Sequence, residues 1–215
     1  MVRTILLLFG ILLPLSPLAS QEATPFELSV ARGQFHASGV LVPESGAHID
    51  LIRRQNADIS VLVMLNVPGS DDDNDYMRAA LQLRQAGFTT IVPSNGLVAS
   101  GGTDFFLAGA YRVIEPGACI GVHSWEDSGP PPYQAIDLPR EHPEHRDFLD
   151  YFAAIGVAAD FYWFTISAAS ADEIHWMSPR EINRFAMSSV PLPETDSETA
   201  VERAARCNER AASSH

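Results

Sequence analysis

Ile59-Ser60-Val61-Leu62-Val63-Met64-Leu65, followed at once by Asn66-Val67-Pro68-Gly69-Ser70, decides the fold class. The first seven residues are almost continuously apolar and rich in β-branched side chains. That composition suits a strand buried on both faces of a parallel sheet. The Pro-Gly pair then turns the chain. Residues 75–86 place Met77, Ala80 and Leu81 at helical spacing, and Gly87 stands where such a helix would stop. Residues 88–93 read as a second strand. A Gly-containing turn follows, then a helix over about 101–110 and a third strand at 119–122. The order β-α-β-α-β with short turns predicts an α/β fold with a parallel sheet and right-handed crossovers.

Working outward, residues 26–42 show short β-type runs broken at Gly33 and Gly39, and residues 47–54 read as a helix with Ile49 and Ile52 on related faces. Beyond His123, Gly129-Pro130-Pro131-Pro132, Pro139 and Pro143 describe an extended loop, since proline removes a backbone donor and resists helix. A helix over 144–154 carries Phe148, Phe152 and Ile155 on one side. A second apolar helix, 158–168, holds Phe161, Tyr162, Trp163 and Phe164, which suit a core or a subunit contact. Ser178-Pro179-Arg180-Glu181 opens another short helix with proline in its first turn. The chain has no internal repeat. One domain is expected over 21–190, with a polar tail at 191–215 that carries a short helix near 199–206.

The first 20 residues read differently. Arg3, an apolar run over 5–15, and the small residues of Ser16-Pro17-Leu18-Ala19-Ser20 form the pattern of a secretory signal peptide. The apolar run is shorter than the ~20 residues a membrane-spanning helix needs. A periplasmic or secreted location is therefore expected, with an uncleaved anchor as the alternative. In an oxidising compartment the two cysteines, Cys119 and Cys207, are expected to pair and tie the tail to the body; two buried thiols are the other reading.

Composition excludes several functions. With 215 residues and 46% hydrophobic content the chain can bury a sizeable core. A net charge of −13 repels phosphate, so no nucleic-acid partner is expected. All 14 basic residues are Arg. Without Lys there is no Schiff base, no Walker-type phosphate lysine and no Ser–Lys dyad. No Cys/His spacing fits zinc. Asp71, Asp73 and Asp75 alternate like a calcium loop, but Tyr76 stands at the glycine position and Gln82 at the twelfth, so the template fails. A solvated helix N-terminus is the better reading of that run. His142, His145 and His175 lack ligand spacing, and no metal or cofactor is expected.

Chemistry concentrates in Asn95-Gly96-Leu97-Val98-Ala99-Ser100-Gly101-Gly102-Thr103, which opens an apolar helix after a predicted strand. Ser100 there lies at the positive end of the helix dipole beside free backbone N–H groups. It is either an attacking hydroxyl or a helix N-cap. It does not fit a G-x-S-x-G elbow, because Val98 holds the first glycine position. Pro116-Gly117-Ala118-Cys119-Ile120-Gly121-Val122-His123 ends a strand in a histidine, which is where a general base could meet that serine.

The three segments, in this order and with 23 residues between Ser100 and His123, resemble the Clp protease proteolytic subunit and its ClpP/crotonase-fold relatives. The resemblance covers about 26–187 and implies a spiral of β-β-α units with a helical C-terminal part. It implies Ser100 as nucleophile, His123 as general base, and the amides of Ser70 and Gly101 as oxyanion hole; Ser70 replaces a glycine of the family turn. Anchored on Trp176-Met177-Ser178-Pro179, the family aspartate falls opposite Ile174, and a small gap brings Asp172 to that position. A backbone carbonyl or water orienting the imidazole is the alternative. The implied activity is that of an exported serine peptidase forming an acyl-enzyme on a peptide or protein substrate. A homo-oligomer is implied too. An exported chain has no access to a cytosolic ATPase, so none is expected as partner. A catalytically inactive member of the fold that binds a peptide is the competing expectation.

Overall fold

The computed structural model describes residues 24–194 and 197–213. The expected signal segment lies outside the described residues. Along the chain run β1 (Glu27–Ala31), β2 (Gln34–Ser38), α1 (Ser45–Gln55), β3 (Val61–Val67), α2 (Asp73–Gln85), β4 (Thr89–Val92), β5 (Leu97–Ala99) and α3 (Gly101–Leu107). Then follow β6 (Tyr111–Ile114), β7 (Cys119–Val122), β8 (Glu126–Asp127), β9 (Tyr133–Gln134), α4 (Arg146–Ile155), α5 (Ala159–Ala168), β10 (His175–Trp176), α6 (Pro179–Arg184) and α7 (Ala200–Ala212).

The apolar run that opens the sequence argument becomes β3, the hub of an eight-stranded, mostly parallel sheet. β2 pairs with it in parallel on one side. On the other side β3 has two partners. Its first half, Val61–Val63, pairs with β4, while Asn66 and Val67 pair with β5. β4 continues to β6, and β5 continues to β7 and then to antiparallel β10. Each β-β-α turn therefore adds one strand to each of two diverging layers. The chain is a mixed α/β fold built as a β-β-α spiral, as the resemblance implied.

Besides the two-residue strands β8, β9 and β10, two strands of the sheet, β5 and β6, were not expected from the sequence. β5 has only three residues, too few to show a period, and β6 begins with exposed Tyr111 at the sheet margin. The expected helix over 101–110 ends at Leu107, because Gly109 and Ala110 lead into β6. The expected extended loop after His123 contains a small hairpin, β8 with β9. The aromatic helix is mainly core: Phe161 and Tyr162 are fully buried.

The β5–β7–β10 layer is covered on both faces. Val98, Ile120 and Val122 point into the main core, while Leu97, Ala99, Cys119 and Trp176 point the other way onto Cys207 of α7. That alternation is the period of two expected of strands. The Cys119–Cys207 disulfide is formed and fastens α7 to this layer. The guanidinium groups of Arg206 and Arg210 reinforce it by donating to the Gly117 carbonyl at 2.7 and 3.1 Å. The expected polar tail is thus a docked amphipathic helix.

Candidate active site

Where β5 ends and α3 begins, the backbone of Ser100 takes φ 52° and ψ −133°. A non-glycine residue rarely holds a positive φ, and the strain is about 1–3 kcal/mol. The surroundings enforce it. The Ser100 amide donates to the Gly121 carbonyl on β7, and the Ser100 carbonyl accepts from Thr103 and Asp104 of α3. The serine therefore caps with its carbonyl, and its hydroxyl makes no capping hydrogen bond. Of the two readings of Ser100, the side-chain N-cap is the one that the geometry removes.

The helix that follows is pressed against the end of β3. A Cβ on Gly102 would lie 1.9 Å from the Val67 carbonyl oxygen, and one on Gly101 would lie 2.1 Å from the Ser70 hydroxyl. Both positions need glycine for close approach. This contact sets the β3–α2 turn beside Ser100. Ser70 bridges in parallel to Leu41, using the Gly69 carbonyl and the Asp71 amide. Among the described residues no hydrogen bond engages the Ser70 or Gly101 amide. The Ser70 hydroxyl donates to Asp73 Oδ1 at 2.9 Å.

His123 follows β7, the parallel neighbour of β5, so the sheet places both residues at one edge. Both line a single cavity of about 240 Å³. His123 Nδ1 lies 2.7 Å from the Ser124 carbonyl oxygen, which fixes the tautomer with a proton on Nδ1 and leaves Nε2 as the basic nitrogen. Burial lowers the His123 pKa; the Ser124 carbonyl and the charges of Glu126 and Asp73 work against that. The ring is thus neutral, and able to accept a proton, at neutral pH. Ser100 and His123 share the cavity without a direct hydrogen bond, as is common before substrate draws such groups together.

Asp172 does not reach this cavity. It is exposed in a separate cleft with Glu173, His175 and Asn208, and the Ser170 hydroxyl holds its carboxyl below the usual range. The group behind the imidazole is the Ser124 carbonyl. The local reason is that in the turn between α5 and β10 Ala171 lines the cavity, while the next residue, Asp172, is exposed in the other cleft.

The cavity contains residues that the sequence reading passed over. Asp104 lies four residues after Ser100, hence on the same face of α3. Burial, the largest influence, pushes its carboxyl up to about 7, against the Tyr76 hydroxyl that donates to Oδ2 at 3.0 Å. Asp73 is half-buried, and burial raises its pKa as well, opposed by the Ser70 hydroxyl and by His123. In the sequence Asp73 looked like one of several solvated acids, and the run does begin a helix: Asp72 caps α2 by accepting from the Asp75 amide. Aromatic walls complete the cavity. Trp125 stacks on Phe148 at 5.6 Å, Phe148 stacks on Tyr162 at 5.5 Å, and the Trp125 indole N–H donates to the Tyr162 hydroxyl. The Phe148/Phe152 pair at i, i+4 on α4 was the available sequence signal. Among the described residues no group of three or more His, Cys, Asp or Glu could hold a metal ion.

No protein-family model matches the chain, and no curated protein matches it. Among solved structures it is similar to a mutant of the 1510-N membrane-bound stomatin-specific protease in complex with a substrate peptide, at 18% identity and TM-score 0.47, over 73% of this chain and 72% of the other. It is also similar to DspI of Pseudomonas aeruginosa, at 13% identity and TM-score 0.49, over 93% and 85% of the two chains. An enoyl-CoA hydrotase/isomerase family protein from Silicibacter pomeroyi matches at 13% identity and TM-score 0.47, over 87% and 82%. The fold assignment stands on the hydrogen-bonded strand order of this chain.

Proposed function

We propose that this protein is an exported serine hydrolase, a peptidase working through an acyl-enzyme. The observation that carries the reading is Ser100: a strained, uncapped serine at a helix start, sharing one cavity with a tautomer-fixed histidine. In the reaction, His123 Nε2 takes the Ser100 proton as Oγ bonds to the substrate carbonyl carbon. The amides of Ser70 and Gly101 receive the developing oxyanion, where such donors contribute most. The imidazolium then passes its proton to the leaving amine, and the C–N bond breaks. Water, deprotonated by the same Nε2, releases the acid and restores Ser100. The Ser124 carbonyl holds the ring orientation throughout. No cofactor enters these steps.

The test is fluorophosphonate labelling of purified wild type, Ser100→Ala, His123→Gln and Asp172→Asn. Wild type and Asp172→Asn are expected to label alike, His123→Gln at least about tenfold more slowly, and Ser100→Ala not at all. Absence of labelling in wild type refutes the hydrolase reading. It would favour a peptide-binding protein that keeps the groove, a reading supported by the missing Ser100–His123 hydrogen bond.

A further inference from the structure

A serine–histidine pair generates an imidazolium, and a carboxylate ordinarily steadies it. Here the partner of Nδ1 is the Ser124 carbonyl, which orients the ring without bringing a negative charge. The charged and titratable groups around His123 are Asp71 and Asp73 at the start of α2, Asp104 and Tyr76 at the α3–α2 contact, Glu126 on β8 and Tyr162 on α5. Among the described residues no Arg lines the cavity. Glu126 is solvent-exposed, so water and salt screen it. Asp73 is half-buried and lines the same cavity as His123, so its charge is screened less than that of Glu126.

Asp73 is also mechanically fixed. It sits in the first turn of α2, immediately after the Asp72 cap, where the helix dipole favours the anion. Its Oδ1 accepts from the Ser70 hydroxyl, and that hydroxyl lies against Gly101. One carboxylate therefore holds Ser70, the residue assigned to the oxyanion hole above, and lines the same cavity as the imidazole.

We propose that Asp73 is a positioning residue of this site: from α2 it supplies, across the cavity, the negative charge that the His123 imidazolium lacks, and through the Ser70 hydroxyl it fixes the backbone beside the nucleophile. Its catalytic consequence rests on the Ser100–His123 reading above; its electrostatic part does not.

The test uses the full chain as wild type, Asp73→Asn, Ser70→Ala and Glu126→Gln, each checked for folding by circular dichroism. The His123 titration is followed by NMR of ring-labelled histidines, with His123→Gln for assignment, and fluorophosphonate labelling rates are measured against pH. Asp73→Asn is expected to lower the His123 midpoint by about 0.5 pH unit or more, and to slow labelling about tenfold. The acid limb of its labelling profile should move to lower pH. Ser70→Ala is expected to slow labelling while leaving the midpoint in place. Glu126→Gln should also lower the midpoint, and about 0.5 M salt should abolish that shift but not the one caused by Asp73→Asn. An unchanged midpoint in folded Asp73→Asn overturns the electrostatic role whether or not the chain hydrolyses anything. A shifted midpoint with wild-type labelling rate overturns the positioning role. If wild type fails to label, the hydrolase reading falls, and the titration still decides whether Asp73 and His123 are coupled.

Discussion

Replacing Asp104 by Asn should make the protein more stable at alkaline pH and change it little at acid pH. The Asp104 carboxyl is walled in by α2, α3 and α4, so its pKa moves from 3.8 to about 7. Below pH 4 the folded and unfolded chains both hold the proton, and nothing is lost. Between pH 4 and 7 the unfolded chain releases it while the folded chain does not, so stability declines as pH rises. Above pH 7 both have released it, and the folded state carries the whole penalty of a buried anion. The interval corresponds to about 4 kcal/mol, and water entering the cavity brings the working figure to about 2–4 kcal/mol. Asn is nearly isosteric, still accepts from Tyr76, and cannot ionise. Urea unfolding of wild type and Asp104→Asn, followed by tryptophan fluorescence at pH 4.5, 6 and 8, isolates this group because the other carboxylates cancel in the difference. The stability difference should grow in favour of Asn by about 2–4 kcal/mol from the lowest pH to the highest. A difference that stays flat with pH would refute the reasoning, since Asp104 would then ionise as freely as a surface acid.

Two further outcomes follow from the backbone and the disulfide. Ser100→Gly removes the positive-φ strain at the β5–α3 junction, offset by the extra freedom of glycine in the unfolded chain, and should stabilise by about 1 kcal/mol in denaturant unfolding while abolishing probe labelling. Cys207→Ser opens an 88-residue loop. In the chain-entropy account this destabilises by about 4 kcal/mol, and the protease sensitivity it creates should begin within α7.

The parallel β-α-β core was legible because β3 and α2 carry their periods openly: an unbroken apolar run, then Met77, Ala80 and Leu81 one helical turn apart. β5 was not, since three residues hold no period and its burial on both faces depends on α7, which is distant in sequence. Ser100 was legible as a serine opening an apolar helix and His123 as a histidine ending a strand; that β5 and β7 lie side by side was not. A backbone carbonyl behind the imidazole was the expected alternative, but which carbonyl could not be read, because a backbone acceptor has no letter of its own. Asp172 looked suitable by distance along the chain, but the turn over 170–174 directs it to solvent. Asp73 was hidden among three neighbouring acids, Asp71, Asp72 and Asp75, and the Ser70 contact distinguishes it.

The strap of α7 across the back of β5 and β7 has a temporal consequence. During synthesis β5 and β7, next to Ser100 and His123, leave the ribosome well ahead of Cys207, so their outer face, with Leu97 and Ala99, stays uncovered until α7 arrives. The cover of this layer is thus complete only once α7 has docked and the thiol pair has closed.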